Sequence, residues 1–153
     1  MAAAAVVVIA ITAAVVVVLE RGRGGVTVTP ISAPLDPYAA SLSISNLKMS
    51  ESTSLSGGKV TYLDGRIQNG GASTVSGVTV QILFRDYAHE VTQNETQPVK
   101  LVRTREPYID VEPVSAAPLK PGGSADFRLI FDSVSPNWDG AFPEIRILKV
   151  DKR

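Results

Sequence analysis

The 153-residue sequence has no cysteine, and it has one histidine and one tryptophan. The lack of cysteine excludes disulfide bonds, cysteine-based zinc sites and a thiol nucleophile. The sequence also has no net charge, because 15 basic residues balance 15 acidic ones. Since proteins that bind nucleic acid normally carry an excess of Lys and Arg, we expect no nucleic-acid partner.

Charged residues are missing altogether from residues 1–19, which are almost wholly Ala, Val and Ile. Residues 2–19 would form a helix of about 27 Å at 1.5 Å per residue, slightly shorter than a hydrocarbon core of about 30 Å. Glu20 and Arg21 end the run. We expect residues 1–20 to be an uncleaved transmembrane anchor that contacts the lipid bilayer through residues 2–19. A cleaved secretory signal is the alternative.

The flanks of this run disagree about its orientation. Arg21 and Arg23 follow the run and no basic residue precedes it, which by the positive-inside rule would place the C-terminal side in the cytoplasm. Glu20 weakens that assignment, and the family resemblance described below implies export. We expect a single-pass membrane protein with an extracytoplasmic domain.

Glycine and proline are concentrated in residues 21–40, where they exclude a continuous helix or a central strand. We interpret this segment as a linker. Residues 41–153 are then left for one domain of ordinary size.

Apolar residues alternate with polar ones in three segments of this domain, residues 78–85, 125–131 and 144–150. Such alternation predicts strands with one buried face and one solvent-facing face. Weaker strand signals occupy residues 42–49 and 59–68 and two pieces within 99–111, with a bulge expected near Asn46 and a close backbone approach or a bulge at Gly65. Glycine-containing turns separate these strands at residues 56–58, 69–71, 120–123 and 137–140. About seven short strands with such turns predict an all-β fold, an antiparallel β-sandwich.

The segment 60–69 ends in Gly-x-x-x-Asn, the alternating strand ends at Phe84 and Asp86, and Leu-Lys-Pro-Gly at 119–122 precedes Phe127. These three parts of the sequence resemble the immunoglobulin-like domains of the FxLYD type and related uncharacterised single-span bacterial envelope proteins. The resemblance covers roughly residues 42–150. It implies an immunoglobulin-like β-sandwich and an envelope-associated binding or structural module, and it carries over no catalytic residue.

The sequence departs from the FxLYD pattern at two places. Arg85 stands where that pattern has an aromatic residue before the aspartate, and residues 90–117 form a long insert with several prolines. Both features favour the uncharacterised relatives over the FxLYD domains themselves.

Two candidate chemical sites have a simpler structural explanation. His89 follows a strand beside Asp86 and Glu90, where a histidine is usually a solvated turn residue rather than a proton relay. Residues 137–140, Asn-Trp-Asp-Gly, are similar to half of a calcium loop, but Arg146 occupies the position that needs a bidentate glutamate. We therefore predict a tight turn in which Trp138 caps the end of the core. No catalytic residue, cofactor or metal site is assigned.

The candidate partner contacts are Lys100, Arg103, Arg105 and Trp138. A basic cluster can contact an acidic partner or anionic lipid, although such charges are more often a solvated strand face or protection of a sheet edge. We expect a membrane-anchored, non-catalytic interaction or accessory module of the bacterial cell envelope with a protein partner. The alternative is an extracytoplasmic ligand- or ion-binding sensor domain.

Overall fold

The computed structural model describes residues 29–153, and the predicted anchor, residues 1–20, lies outside them. These residues form an all-β fold of two antiparallel sheets, as the sequence predicts. The strands are β1 Leu42–Thr53, β2 Lys59–Asn69, β3 Val75–Arg85, β4 Val91–Pro98, β5 Lys100–Thr104, β6 Asp110–Pro113, β7 Ser124–Phe131 and β8 Glu144–Lys152. The five-stranded sheet has the order β1-β2-β7-β5-β6, and the three-stranded sheet has the order β4-β3-β8. Within residues 29–153, no helix is long and apolar enough to cross a membrane.

The core lies between the two sheets and contains the alternating apolar residues that the sequence predicts to face inwards. β2 and β7 contribute Leu63, Ile67, Phe127, Leu129 and Phe131 from the five-stranded sheet, and β3 contributes Val78, Val80, Ile82 and Phe84 from the other. Side chains of this size each gain about 1.5–3 kcal/mol when fully buried. The alternation is therefore strong enough to determine which face of each strand points inwards.

The proline-containing insert at residues 90–117 forms regular structure, since β4, β5 and β6 all lie within it. β4 pairs with β3 at the edge of the three-stranded sheet, and β5 pairs with β7 and β6 in the five-stranded sheet. β4 was not predicted because its sequence, Val-Thr-Gln-Asn-Glu-Thr-Gln-Pro, has almost no apolar residues. The insert therefore contributes one edge to each sheet.

Both irregularities predicted within the strands are confirmed. The pairing of β1 with β2 shifts register between Ser45 and Lys48, which marks a bulge, and Asn46 within it has a φ of +55°. Gly65 pairs with Phe127 across β2 and β7, and the ring of Phe127 occupies the space where a side chain at Gly65 would lie. The bulge and the glycine together let Leu47 and Phe127 fill the core.

The amide of Asn69 at the end of β2 joins three separate parts of the chain. Asn69 is wholly buried. Its Nδ2 donates hydrogen bonds to the carbonyl oxygens of Ser73 (2.8 Å) and Leu119 (2.9 Å). Its Oδ1 accepts hydrogen bonds from the Tyr38 hydroxyl (3.0 Å) and the Gly71 backbone nitrogen (3.1 Å). Both donors and both acceptor positions of the amide are therefore used.

Residues 29–36, which we call the strap, lie across the outer face of the three-stranded sheet. The carbonyl oxygen of Thr29 accepts hydrogen bonds from Gln81 (3.1 Å) and Asn94 (2.8 Å). Arg146 donates hydrogen bonds to carbonyl oxygens of the strap, including that of Ala33 at 2.6 Å. At the free edge of β8, the Asp36 carboxylate accepts a hydrogen bond from the backbone nitrogen of Val150 (2.8 Å). The strap belongs to the part of the sequence interpreted as a linker.

The expectation of a solvent-facing side is wrong for β3. Gln81 and Leu83 point to the outer side of the sheet, yet they are 0% and 1% exposed. The strap covers Gln81, and the loop at residues 139–142 lies beside Leu83. The buried amide of Gln81 is tolerated because it donates to carbonyl oxygens of the strap and to Asn94, and accepts from Arg146.

We predict that Gly65→Ala lowers the free energy of unfolding by about 1–3 kcal/mol, the usual cost of overpacking a core. A Cβ at this position would lie 2.6 Å from Cζ of Phe127 and 2.9 Å from Cδ2 of Leu47. Urea denaturation measures the change. Gly58→Ala is the control, because its Cβ would meet its nearest neighbour, Ser54 Oγ, at 3.4 Å. A Gly65→Ala variant as stable as the wild type would contradict this account of the glycine.

Candidate functional site

The outer face of the five-stranded sheet carries seven charged side chains, which we call the charged face. Because successive side chains of a strand point to opposite sides, the residues between the buried positions of β2 and β7 must point away from the core. The members are Lys48 of β1, Asp64 and Arg66 of β2, Asp126 and Arg128 of β7, Lys100 of β5, and Arg105 just after β5.

Strand register arranges these side chains in two rows across the sheet. In the first row, Lys48 pairs with Asp64, Asp64 with Arg128, and Arg128 with Lys100. The second row pairs Arg66 with Asp126, and Arg105 reaches the same aspartate from the side of β5. The rows are two residues apart along β2 and along β7, which corresponds to about 6.7 Å.

Asp64 and Arg128 form the best-defined ion pair of the charged face. Arg128 donates from Nε (2.6 Å) and Nη2 (2.7 Å) to the two carboxylate oxygens of Asp64. Its guanidinium also lies over the ring of Tyr62, 4.4 Å from the ring centroid. A bidentate pair that also stacks on an aromatic ring holds the guanidinium in one orientation. This pair therefore gives the face a rigid centre.

Asp126 lies between two arginines. Arg105 Nη2 donates to one carboxylate oxygen at 2.6 Å, and Arg66 Nε donates to the other at 3.0 Å. These hydrogen bonds, first that of Arg105 and then that of Arg66, hold the pKa of the Asp126 carboxyl below its ordinary value. The carboxylate therefore stays ionised, and it shows how an anionic group is bound at this position.

A shallow cavity of about 350 Å³ opens in the charged face beside the bulge of β1. Its lining consists of Asn46, Lys48, Asp64, Gly65, Arg66, Arg105 and Asp126. Three of these residues are cationic and two are anionic, so the lining has an excess of positive charge. The cavity is wide enough for a single side chain or a small anionic group.

The residues predicted to contact a partner do not lie on one surface. Lys100 and Arg105 belong to the charged face. Arg103 instead faces β6, where its Nη1 lies 3.8 Å from Oδ2 of Asp110. Trp138 is elsewhere: its ring packs edge-on against Phe84, which in turn packs against Phe131 at the last position of β7. Arg105 contacts Asp126, which lies five residues before Phe131 on β7. The contact of Arg105 and the cluster of Trp138 are therefore about 17 Å apart along the strand.

Trp138 caps the core at this end of the sandwich, as the sequence predicts for the turn at residues 137–140. Its indole nitrogen donates to the carbonyl oxygen of Ala141 at 2.9 Å. The carboxylate of Asp139 accepts a hydrogen bond from the backbone nitrogen of Ala141 at 2.8 Å. Within residues 29–153, no three His, Asp or Glu side chains are grouped as a metal site would need.

His89 lies in the turn between β3 and β4, where it is exposed and has a φ of +64°. Arg85 donates a hydrogen bond to its carbonyl oxygen at 2.8 Å. The Asp86 carboxylate accepts hydrogen bonds from the backbone nitrogens of Ala88 and Glu90, so this aspartate closes the turn. The histidine is thus a solvated turn residue.

Sequence reasoning missed most of the charged face, although a signal for it was present. Residues 64–66 read Asp-Gly-Arg and residues 126–128 read Asp-Phe-Arg. In an antiparallel pair these two segments place each aspartate opposite an arginine, because one strand is reversed relative to the other. Recognition of that pairing would have required the register of β2 against β7, which neither segment reveals alone.

The fold and its outer faces define a small β-sandwich domain with one covered sheet and one open, charged sheet. Residues 38–143 match the family model described as "Protein of unknown function (DUF2393)", and the chain belongs to that family. The match begins at Tyr38, which donates to the Asn69 amide. Comparisons with curated proteins and with solved structures returned no match. The resemblance to FxLYD-type domains is not confirmed by this result.

We predict that Asp126 makes stability depend on pH in acid. Because its pKa in the folded protein is below the ordinary value of 3.8, its stabilising effect is fully present above about pH 4 and is lost as the pH falls through the lowered pKa. Below about pH 4, the melting temperature of Asp126→Asn should therefore fall less steeply than that of the wild type.

Asp132→Asn is the matched control for this measurement. It removes an exposed carboxyl that neither Arg66 nor Arg105 contacts within the described residues, so its melting temperature should follow the wild-type dependence on pH. An Asp126→Asn variant with an unchanged acid slope would contradict the two-arginine account.

Proposed function

We propose that the protein is a membrane-anchored, non-catalytic interaction or accessory module of the bacterial cell envelope, with the charged face as its contact surface. The difference between the two sheets carries this proposal. The strap and the loop at residues 139–142 cover the outer side of β3, whereas the outer face of the five-stranded sheet is left open. An ordered and exposed set of charges is what a recognition surface requires.

The chemistry of the charged face supports binding over catalysis. Three of its five cations are arginines, and a guanidinium remains protonated in proteins, so it cannot exchange protons as a general acid or base. The two carboxylates, Asp64 and Asp126, are each held by arginine. Fixed charges of this kind orient a partner and increase the rate of association.

We infer that the β-sandwich is immunoglobulin-like. In that fold, strands A, B, E and D form one sheet, and strands C and F are neighbours in the other. The order β1-β2-β7-β5 and the adjacency of β3 and β8 are consistent with this arrangement. β4 would then correspond to strand C′, and residues 29–153 contain no strand in the position of G. The comparable order of strands is the support for the assignment.

Membrane attachment rests on the uncharged run at residues 2–19, which is long enough to span a bilayer with little tilt. We propose that the domain lies outside the cytoplasm.

A groove beside the strap favours the second candidate, a ligand-binding sensor domain. Its volume is about 700 Å³, within the usual range for sites that bind small molecules. It lies between the edges of β1 and β8, and its apolar lining includes Leu35, Leu42, Ile44 and Ile145. A sensor would lose function through substitutions in this groove, whereas an interaction module would lose it through substitutions in the charged face.

We predict that a photoreactive phenylalanine at Tyr62 captures a protein partner in intact cells, because Tyr62 lies on the charged face next to Arg128. Mass spectrometry of the cross-linked product identifies the partner. The matched control replaces Tyr87, which is 85% exposed in the turn between β3 and β4. Capture from position 87 but not from position 62 would contradict the assignment of the surface.

Reporter fusions after Arg153 test the topology. An enzyme reporter that is active only outside the cytoplasm should be active, while one that is active only in the cytoplasm should be silent. The mature protein should also keep residues 1–20, as N-terminal sequencing would show. A cytoplasmic reporter signal would contradict export, and a mature N-terminus after residue 20 would identify a cleaved signal instead of an anchor.

A further inference from the structure

We propose that the charged face binds an extended, acidic segment of a partner protein, with carboxylates at alternate positions of that segment contacting its two rows of cations. This inference rests on the proposed function, because it names the chemistry of the partner at the same surface. Its first support is local charge. The face holds the cations Lys48, Arg66, Lys100, Arg105 and Arg128 against the carboxylates Asp64 and Asp126.

This positive excess is a property of the face and not of the whole chain, since the full sequence has 15 basic and 15 acidic residues. The internal ion pairs do not use up the cations. Arg66 and Arg105 share one carboxylate, and Asp64 is bound by Arg128. An anionic partner would therefore meet uncompensated positive charge along the face.

The spacing of the rows favours an extended peptide over a single small anion. The rows are two strand residues apart, about 6.7 Å, and alternate side chains of an extended peptide have the same separation. A peptide that runs alongside β1 and β2 would place one carboxylate at Lys48 and the next carboxylate, two residues further along, at Arg66. A second path between β7 and β5 would meet Lys100 and then Arg105.

Free donor groups are available on the arginines of the second row. Within the described residues, Arg66 contacts Asp126 through Nε and Arg105 contacts it through Nη2, whereas each guanidinium has several further N–H groups. About half of each side chain is exposed, 49% for Arg66 and 55% for Arg105. The cavity beside them, about 350 Å³, accommodates the carboxylate side chain of the partner.

The test measures binding of two synthetic peptides to the full-length chain in a non-ionic detergent at low salt. One peptide has glutamates at alternate positions separated by serines, and the other has the same composition with the glutamates in one block. We expect the alternating peptide to bind more tightly. We also expect Arg66→Gln combined with Arg105→Gln to weaken its binding about tenfold, and added salt to weaken it further.

Two further variants make the measurement specific. Lys48→Gln with Lys100→Gln removes the two lysines of the first row, neither of which is in an ion pair within residues 29–153, and leaves Arg128 with Asp64. This variant should fold normally and bind the peptide more weakly. Lys120→Gln with Lys149→Gln removes two exposed charges outside the face and should leave binding unchanged. Equal binding of the alternating peptide by both charged-face variants and the wild type would overturn the inference.

Other outcomes identify a different ligand. Binding of anionic phospholipid vesicles through Arg66 and Arg105, without binding of the peptide, would make the face a membrane contact and overturn the inference. Binding of inorganic phosphate without binding of the peptide would make the face a site for a small anion and would also overturn the inference. If the peptide fails while position 62 still captures a protein, the proposed function stands and the acidic chemistry is wrong. If capture also fails, both proposals are wrong.

Discussion

The buried amide of Asn69 is the interaction on which the rest of the fold depends. It lies where the chain leaves β2 and crosses to the other sheet, and it bonds to the crossover, to the segment before β7 and to Tyr38. Without it, the carbonyl oxygens of Ser73 and Leu119 would each lose a hydrogen bond, and a typical intramolecular hydrogen bond contributes about 0.5–1.5 kcal/mol. The amide therefore connects both sheets and the N-terminal segment at one point.

The Asn69 network holds Tyr38 directly after the strap, and this position explains why the two sheets have different outer faces. Once Tyr38 is held, the preceding residues lie along β8 and β3, where Arg146 and Gln81 bind their carbonyl oxygens. The middle strand of the three-stranded sheet, β3, is thus covered on both sides at Gln81 and Leu83. The five-stranded sheet receives no such cover, and its paired charges form the one broad face that the described residues leave open to a partner.

The parts of the fold that the sequence predicts well are those in which apolar residues alternate. β3, β7 and β8 were found because a buried residue at every second position produces a pattern within a short window. β4 has no such pattern and was missed. The strap and the charged face were missed for another reason: their contacts, such as Arg146 to Ala33 and Arg66 to Asp126, join residues far apart in the sequence. Local composition contains no information about such pairs.

The strap also determines how the domain responds to tension. A pull on the chain ahead of Thr29 first loads the hydrogen bonds from Gln81 and Asn94, then those from Arg146, and only afterwards the contact of Asp36 with the edge of β8. These bonds break one after another, whereas a strand pulled along its ladder resists with many bonds at once. Tension applied at this end would therefore release the strap one hydrogen bond at a time before it loads the ladder of any strand in the sandwich.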